Sequence, residues 1–151
     1  MRRRYRRELY AEKVERIKKI MPHCCIGVDV IVGFPSETDN DFLDTVHFLK
    51  DLDISYLHVF TYSERPNTFA VTINDVVPVP VRQERNKTLR NLSYKKMQAF
   101  TAGFYGQTRP VLFEGAQANG MMEGYTDNYI RVSTPYREEW VNTVVNWKIL
   151  P

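Results

Sequence analysis

Asp29-Val30-Ile31-Val32-Gly33-Phe34-Pro35-Ser36-Glu37-Thr38 is a β-branched apolar run that stops at a glycine and turns directly into a helix cap. That pattern describes the end of a buried parallel strand whose tip faces a ligand. Val30, Ile31 and Val32 favour a pleated, buried surface, and Gly33 admits close approach where a Cβ would clash. Pro35 blocks further sheet pairing. The chemistry such a tip supports is binding, because strand–turn–helix units hold small molecules outside the carboxyl ends of their strands. Asp29 alternates with Gly27, Ile31 and Gly33. This places the carboxylate toward a barrel lumen, either satisfied by a structural hydrogen bond or near substrate. Glu37 and Arg65 follow two successive strand ends. Glu37 reads as a negative charge near a helix N-terminus. Arg65 reads as an anchor for a carboxylate or phosphate, or as a partner of Glu37.

Metal and thiol chemistry have little to work with. The two cysteines, Cys24 and Cys25, are adjacent, whereas an iron–sulfur cluster needs several thiolates converging from a loop. They offer no disulfide framework either, which agrees with a reducing compartment. His23, His47 and His58 form no H-x-x-H or H-E-x-x-H pattern, so no metal site is expected.

The elements that must position the strand tip are readable from periodicity. Tyr5, Leu9, Val14, Ile17 and Ile20 predict an amphipathic helix over about 5–21, ended by Pro22. Strands are expected at 26–34 and 56–62 and a helix at 41–51, opened by a shortened capping box of Thr38 and Asp41. The stretch 64–80 holds three prolines and reads as a loop. A long helix is expected over 81–104, with Leu89, Leu92, Met97, Phe100 and Phe104 inward and Arg82, Arg85, Lys87, Arg90, Lys95 and Lys96 around them. Beyond it lie short alternating strands with Asn119-Gly120 and Asp127-Asn128 as hairpin turns, predicting a small antiparallel barrel. The expected domains are 1–104 and 105–151. Two parallel strands alone would leave both sheet edges open to self-association.

Composition narrows the class. The 151 residues are 43% hydrophobic with a net charge of +3, ordinary for a globular protein. No apolar run approaches the roughly 20 residues needed to cross a bilayer, and the arginine-rich start leads into a charged helix, so a cytoplasmic protein without a membrane partner is expected. Arg2, Arg3, Arg4, Arg6 and Arg7 place positive charge where a helix dipole disfavours it, a hint of anion binding. Toward the C-terminus, Arg109, Arg131, Arg137 and Lys148 accompany Tyr125, Tyr129, Tyr136, Trp140 and Trp147. Cations for phosphates beside aromatic faces for unpaired bases predict RNA binding, with Arg109, Tyr125, Tyr129 and Arg131 as its surface and at least one of the two tyrosines exposed. Part of the aromatic set is expected to fill the barrel core.

The wording of four segments goes beyond their physics. Asp29–Thr38 resembles the D-(I/V)-I-V-G-F-P-G-E-T of the radical S-adenosylmethionine methylthiotransferases, with Ser36 in place of a glycine. Met1-Arg2-Arg3-Arg4-Tyr5 is similar to the family's M-R-R-x-Y. Tyr62-Ser63-Glu64-Arg65-Pro66-Asn67-Thr68 is similar to its Y-S-x-R-P-G-T, with Asn67 replacing a glycine while tolerating positive φ. Val111–Glu114 and Glu123–Val132 resemble its RNA-binding TRAM domain. The resemblance implies an α/β fold: the last two strands and helices of a partial radical-S-adenosylmethionine (TIM-like) barrel, then a small all-β, OB-like TRAM barrel. It implies that Val32 and Gly33 pack by the cofactor's adenosine, and that Phe60, Thr61 and Tyr62 present backbone groups to the base.

It further implies a parent enzyme that uses S-adenosylmethionine and a 4Fe-4S cluster to add a methylthio group at C2 of a modified adenosine beside the tRNA anticodon. Threonylcarbamoyladenosine is the favoured substrate. Relatives act on isopentenyladenosine or on an aspartate of a ribosomal protein. The cluster's C-x3-C-x2-C is not in this sequence, so the chain is expected to be a C-terminal fragment with no catalytic residue, no metal and no cofactor of its own. The competing reading is a free-standing RNA-binding module whose α/β half is scaffold.

Overall fold

A computed structural model describes residues 6–116 and 119–151. Arg2, Arg3, Arg4 and Tyr5 lie outside the described residues. The chain divides into two compact units, one of Ile26–Met97 with the helix before it and one of Gln98–Pro151 with His23–Cys25.

The first unit carries α1 (Arg7–Ile20), β1 (Gly27–Val32), α2 (Asp39–Asp51), β2 (Tyr56–Thr61), a 3-10 turn (Phe69–Thr72) and most of α3 (Val79–Ala102). β1 and β2 are parallel, in register from Gly27 opposite Tyr56 to Val32 opposite Thr61, and α2 is the crossover that parallel pairing requires. α2 starts where the sequence placed its cap. The Asp41 amide donates to Thr38 Oγ1 at 3.1 Å and the Thr38 amide donates to Asp41 Oδ2 at 2.9 Å. The Thr38 hydroxyl, which donates to Asp41 Oδ2 at 2.7 Å, and after it the Thr38 amide hold the Asp41 carboxyl below its usual range. One sheet face buries Val28, Val32 and Leu57 against Val14 of α1, Phe42 and Leu49 of α2 and Leu89 of α3.

The opposite face, the side that would face a barrel lumen, has no helix on it among the described residues, and Asp29 is exposed there with Ile31, His58 and Phe60. The expectation that both edges of the pair stand open is corrected at the β2 edge. At the outer edge of β2, the Leu57 amide donates to Ser93 Oγ at 2.8 Å, Ser93 Oγ donates to the Leu57 carbonyl at 3.0 Å, and Asn86 Nδ2 donates to the Val59 carbonyl at 3.2 Å. Side chains of α3 thus occupy the groups that an added strand would need.

The second unit is a four-stranded antiparallel sheet in the order β5-β4-β3-β6. Its strands are β3 (Thr108–Ala116), β4 (Met121–Thr126), β5 (Arg131–Pro135) and β6 (Val144–Lys148), with a 3-10 turn at Glu138–Trp140. Among the described residues β5 and β6 are not paired with each other. Both expected turns are present. The Met121 amide donates to Asn119 Oδ1 at 3.1 Å, and buried Asn128 accepts from Thr126 Oγ1 at 2.6 Å in the β4–β5 turn. Val111, Phe113, Met122, Ile130, Val132 and Ile149 form the core, with Phe100, Phe104, Trp140 and Trp147 packed on it. Phe113 stacks on Trp140 and meets Trp147 edge-on, both at 5.6 Å between centroids. No helix among the described residues is long and apolar enough to cross a membrane.

Gly124 stands opposite Phe113 in the β3–β4 register. A Cβ there would lie 2.5 Å from the Leu112 carbonyl oxygen and 2.8 Å from Val111 Cγ1, whereas one at Gly115 would meet nothing within 4 Å. Gly124→Ala should therefore destabilise by about 1–3 kcal/mol, as overpacking does, and Gly115→Ala by no more than about 0.5 kcal/mol. Urea denaturation of the two variants checks this, and equal losses would contradict it.

Candidate functional site

The strand ends are shaped by two turns and one helix. Leaving β1, Gly33 adopts φ +76° and its amide donates to Glu37 Oε2. The Glu37 amide donates back to the Phe34 carbonyl at 2.9 Å. The Tyr62 amide donates to the Val32 carbonyl at 2.9 Å, extending the parallel ladder one step past β2. Phe34 then meets the Tyr62 ring edge-on at 5.3 Å. Ser36 and Asn67, which stand where the resembled motifs have glycine, take φ 71° and 63°.

Between the two strand ends opens a cleft of about 390 Å³ walled by Ile31, Phe34, Phe60, Thr61, Tyr62 and Arg65. Its volume falls within the roughly 300–1,000 Å³ usual for small-molecule sites. Phe60 is 53% exposed, while the Tyr62 hydroxyl is buried without a hydrogen-bond partner. An apolar cleft with one unsatisfied hydroxyl suits a planar, weakly polar ligand, since a buried polar group left unpaired costs about 1–3 kcal/mol.

Two arginines of α3 hold this end of the unit together. Arg82 is 3% and Arg85 5% exposed. Arg82 donates from Nε to the Val77 carbonyl at 2.6 Å, from Nη1 to the Tyr62 carbonyl at 3.1 Å and from Nη2 to Glu64 Oε1 at 2.7 Å. Its guanidinium lies 5.4 Å from the Tyr62 ring centroid. Its stem fills the space above Gly33, where a Cβ would come within 2.4 Å of Arg82 Cγ. Arg85 donates from Nη1 to both the carbonyl and Oε2 of Glu37, each at 3.0 Å, and from Nη2 to Asp39 Oδ1 at 2.7 Å. Glu37 is therefore the shared acceptor of a glycine turn and a buried guanidinium, and its partner is Arg85 where the sequence offered Arg65. The sequence alone sets Arg82 and Arg85 with the basic residues around the apolar positions of this helix. The signal available was their spacing, since 82, 85 and 89 lie on one helical stripe with fully buried Leu89.

The residues expected at the cofactor divide into two sets. Phe60, Thr61 and Tyr62 line the cleft. Val32 is fully buried in the core and Gly33 lies buried under Arg82, so both support the cleft from behind. In the second unit, Arg109 donates to both carboxylate oxygens of Asp127, at 2.8 and 2.9 Å, and lies 5.3 Å from the Phe104 ring. Arg131 is paired twice with Glu123, a pairing that raises its already high pKa. Tyr125 and Tyr129 stack on each other at 4.9 Å, and Tyr129 is 55% exposed. The two tyrosines thus form one platform, while both arginines are bound to acids of the same sheet.

Two measurements probe the arginine clamp. Arg85→Leu strands the half-buried Glu37 carboxylate without its cation and should cost about 3–5 kcal/mol. Adding Glu37→Gln should recover part of the loss, with a coupling of about 1–3 kcal/mol in a double-mutant cycle. Purely additive effects would contradict the clamp. The Glu64 carboxyl is held below its ordinary value of 4.5 chiefly by the hydrogen bond from Arg82. A folded-state pKa below the unfolded one means that this contribution is complete above pH 4.5 and is lost as pH falls through the folded value. Glu64→Gln should accordingly flatten the acid side of the stability curve, and an unchanged slope would contradict the pairing.

No protein-family model matches the chain. It is similar to the threonylcarbamoyladenosine tRNA methylthiotransferase MtaB of Bacillus subtilis, 35% identical over 154 residues that cover 99% of this chain and 34% of the relative. The MtaB of Aquifex aeolicus is 40% identical over 132 residues, 87% of this chain and 31% of that protein. The tRNA-2-methylthio-N(6)-dimethylallyladenosine synthase of Bacillus licheniformis is 37% identical over 155 residues, 99% of this chain and 30% of that one. The chain thus spans about a third of the length of the curated relatives it matches. In sequence the chain is similar to these tRNA methylthiotransferases and matches their C-terminal part.

Proposed function

We propose that this chain is the C-terminal portion of a radical S-adenosylmethionine tRNA methylthiotransferase. Its first unit holds the cofactor's nucleoside at the strand ends of a partial (β/α) barrel, and residues 105–151 act as a TRAM domain on tRNA. The observation that carries the reading is the cleft at the ends of β1 and β2, flanked by the two segments whose wording resembles the family. Phe34 and Phe60 suit the faces of a purine, and the unpartnered Tyr62 hydroxyl suits a ribose or base-edge acceptor or donor. When bound, S-adenosylmethionine supplies the methyl group, and the role of these residues is to bind and orient its nucleoside and to exclude water from it.

An iron–sulfur cluster does not fit the residues described. Cys24 and Cys25 are adjacent, and among the described residues no group of three or more His, Cys, Asp or Glu side chains converges. No step is assigned to a cluster on this chain. The stacked Tyr125–Tyr129 platform offers a ring to an unpaired base, with Arg109 and Arg131 flanking it. Pairing of the outer edge of β1 with a further strand, from a longer chain or a second copy, completes the sheet. We place the protein in the cytoplasm with its tRNA.

The two MtaB relatives support threonylcarbamoyladenosine as the nucleoside modified. Deleting the gene that carries this sequence should remove the 2-methylthio group from threonylcarbamoyladenosine of tRNA, read by nucleoside mass spectrometry. Restoring it with Phe60→Ala and Tyr62→Ala should weaken S-adenosylmethionine binding tenfold or more, roughly 1.4 kcal/mol or greater. Loss of methylthio-isopentenyladenosine instead would overturn the substrate, and an unchanged nucleoside profile would overturn the activity.

A further inference from the structure

The described cations are not equally available. Arg82, Arg85, Arg109 and Arg131 are bound to carboxylates, and Lys96 donates to the Leu52 and Lys50 carbonyls at the end of α2. On the outward side of α3, Gln83, Lys87, Arg90 and Tyr94 form one exposed stripe at helical spacing, and among the described residues Lys87 and Arg90 carry no acidic partner. This stripe walls two adjoining hollows of about 460 and 580 Å³, which share Thr61, Asn86 and Arg90. The groove runs along the outer edge of β2. Because Ser93 and Asn86 already occupy that edge's backbone groups, the groove is closed to strand addition and is left as a polar trough with a cationic wall. It joins the strand-end cleft through Phe60 and Thr61, which line both.

We infer that this groove binds single-stranded RNA. Lys87 and Arg90 contact successive phosphates, Gln83 and Asn91 hydrogen-bond to base edges or sugars, and the Tyr94 and Phe60 rings meet base faces. The inference rests on the proposed tRNA-modifying function and adds to it a nucleic-acid surface on the first unit, distinct from the tyrosine platform of the second. Charge and composition favour RNA over an acidic protein. Two neighbouring cations together with the exposed Tyr94 and Phe60 rings match a chain that presents a phosphate and a stacking face at every repeat, and the groove leads to a cleft suited to a nucleoside.

The test uses the whole 151-residue chain and a fluorescent anticodon stem-loop RNA, read by anisotropy across a salt series. Lys87→Glu with Arg90→Glu should weaken binding about tenfold or more and reduce the salt slope by about 1.4, the value for two lost contacts to single-stranded phosphates. The charge-matched pair Lys13→Glu with Lys50→Glu, on exposed positions of α1 and α2, should stay within about twofold after correction for net charge. Circular dichroism confirms the fold of each variant. Equal weakening by both pairs, or none by the first, overturns the groove while leaving the tRNA reading standing. Absence of any RNA binding by the parent chain overturns both, and displacement of the RNA by poly-glutamate at equal charge overturns RNA in favour of an acidic protein.

Discussion

The strand-end architecture depends on two guanidinium groups being kept out of water. Removing an arginine from solvent is costly unless its donors are met in good geometry, and Arg82 and Arg85 meet theirs across three separate stretches of chain. Arg82 joins the loop before α3, the end of β2 and Glu64. Arg85 joins α3 to Glu37 and Asp39 at the start of α2. Through Glu37 the constraint reaches the Gly33 amide, so the turn that leaves β1 is set by a helix nearly fifty positions further on. A planar five-donor group can satisfy several acceptors with one rigid fork, which a lysine cannot do. The walls of the cleft are thereby fixed in advance of any ligand, which is what preorganised binding needs.

The same helix gives the parallel pair two unlike edges. Ser93 and Asn86 bond to the outer side of β2, while the outer side of β1 carries no such cover from α3. A sheet with one sealed edge can grow in one direction only, and its open face, with Ile31 and Phe60, is apolar enough to seek burial. Both features suit a chain that matches about a third of its relatives' length.

Local rules were legible and long-range ones were not. The Thr38–Asp41 box, the two strands, the hairpin turns and the positive φ at Asn67 depend on a few neighbouring residues, and the sequence states them directly. Alternation placed Asp29 on the face away from Val28 and Val32, and the helices do pack on the Val28 side. Alternation assigns residues to two faces but does not say whether a further layer covers the second one. The sequence sets Arg82 and Arg85 around the apolar positions of α3 without giving them partners. Their stripe shared with Leu89 is visible, but apart from the Val77 carbonyl their acceptors lie some twenty to fifty residues away, at positions no periodicity connects. Of the site, Phe60, Thr61 and Tyr62 were reached through the wording of the motif that follows β2, and the arginines beneath them were missed.

The central claim is that arginine-held strand ends form a nucleoside cleft. It is tested most directly by titrating the isotopically labelled chain with S-adenosylmethionine and following backbone amides by NMR. The amides of Phe60, Thr61 and Tyr62 should shift together along one saturating curve, and Arg82→Met, with the fold intact, should abolish that response. Shifts confined to other parts of the chain, or a saturating response that survives Arg82→Met unchanged, would contradict it.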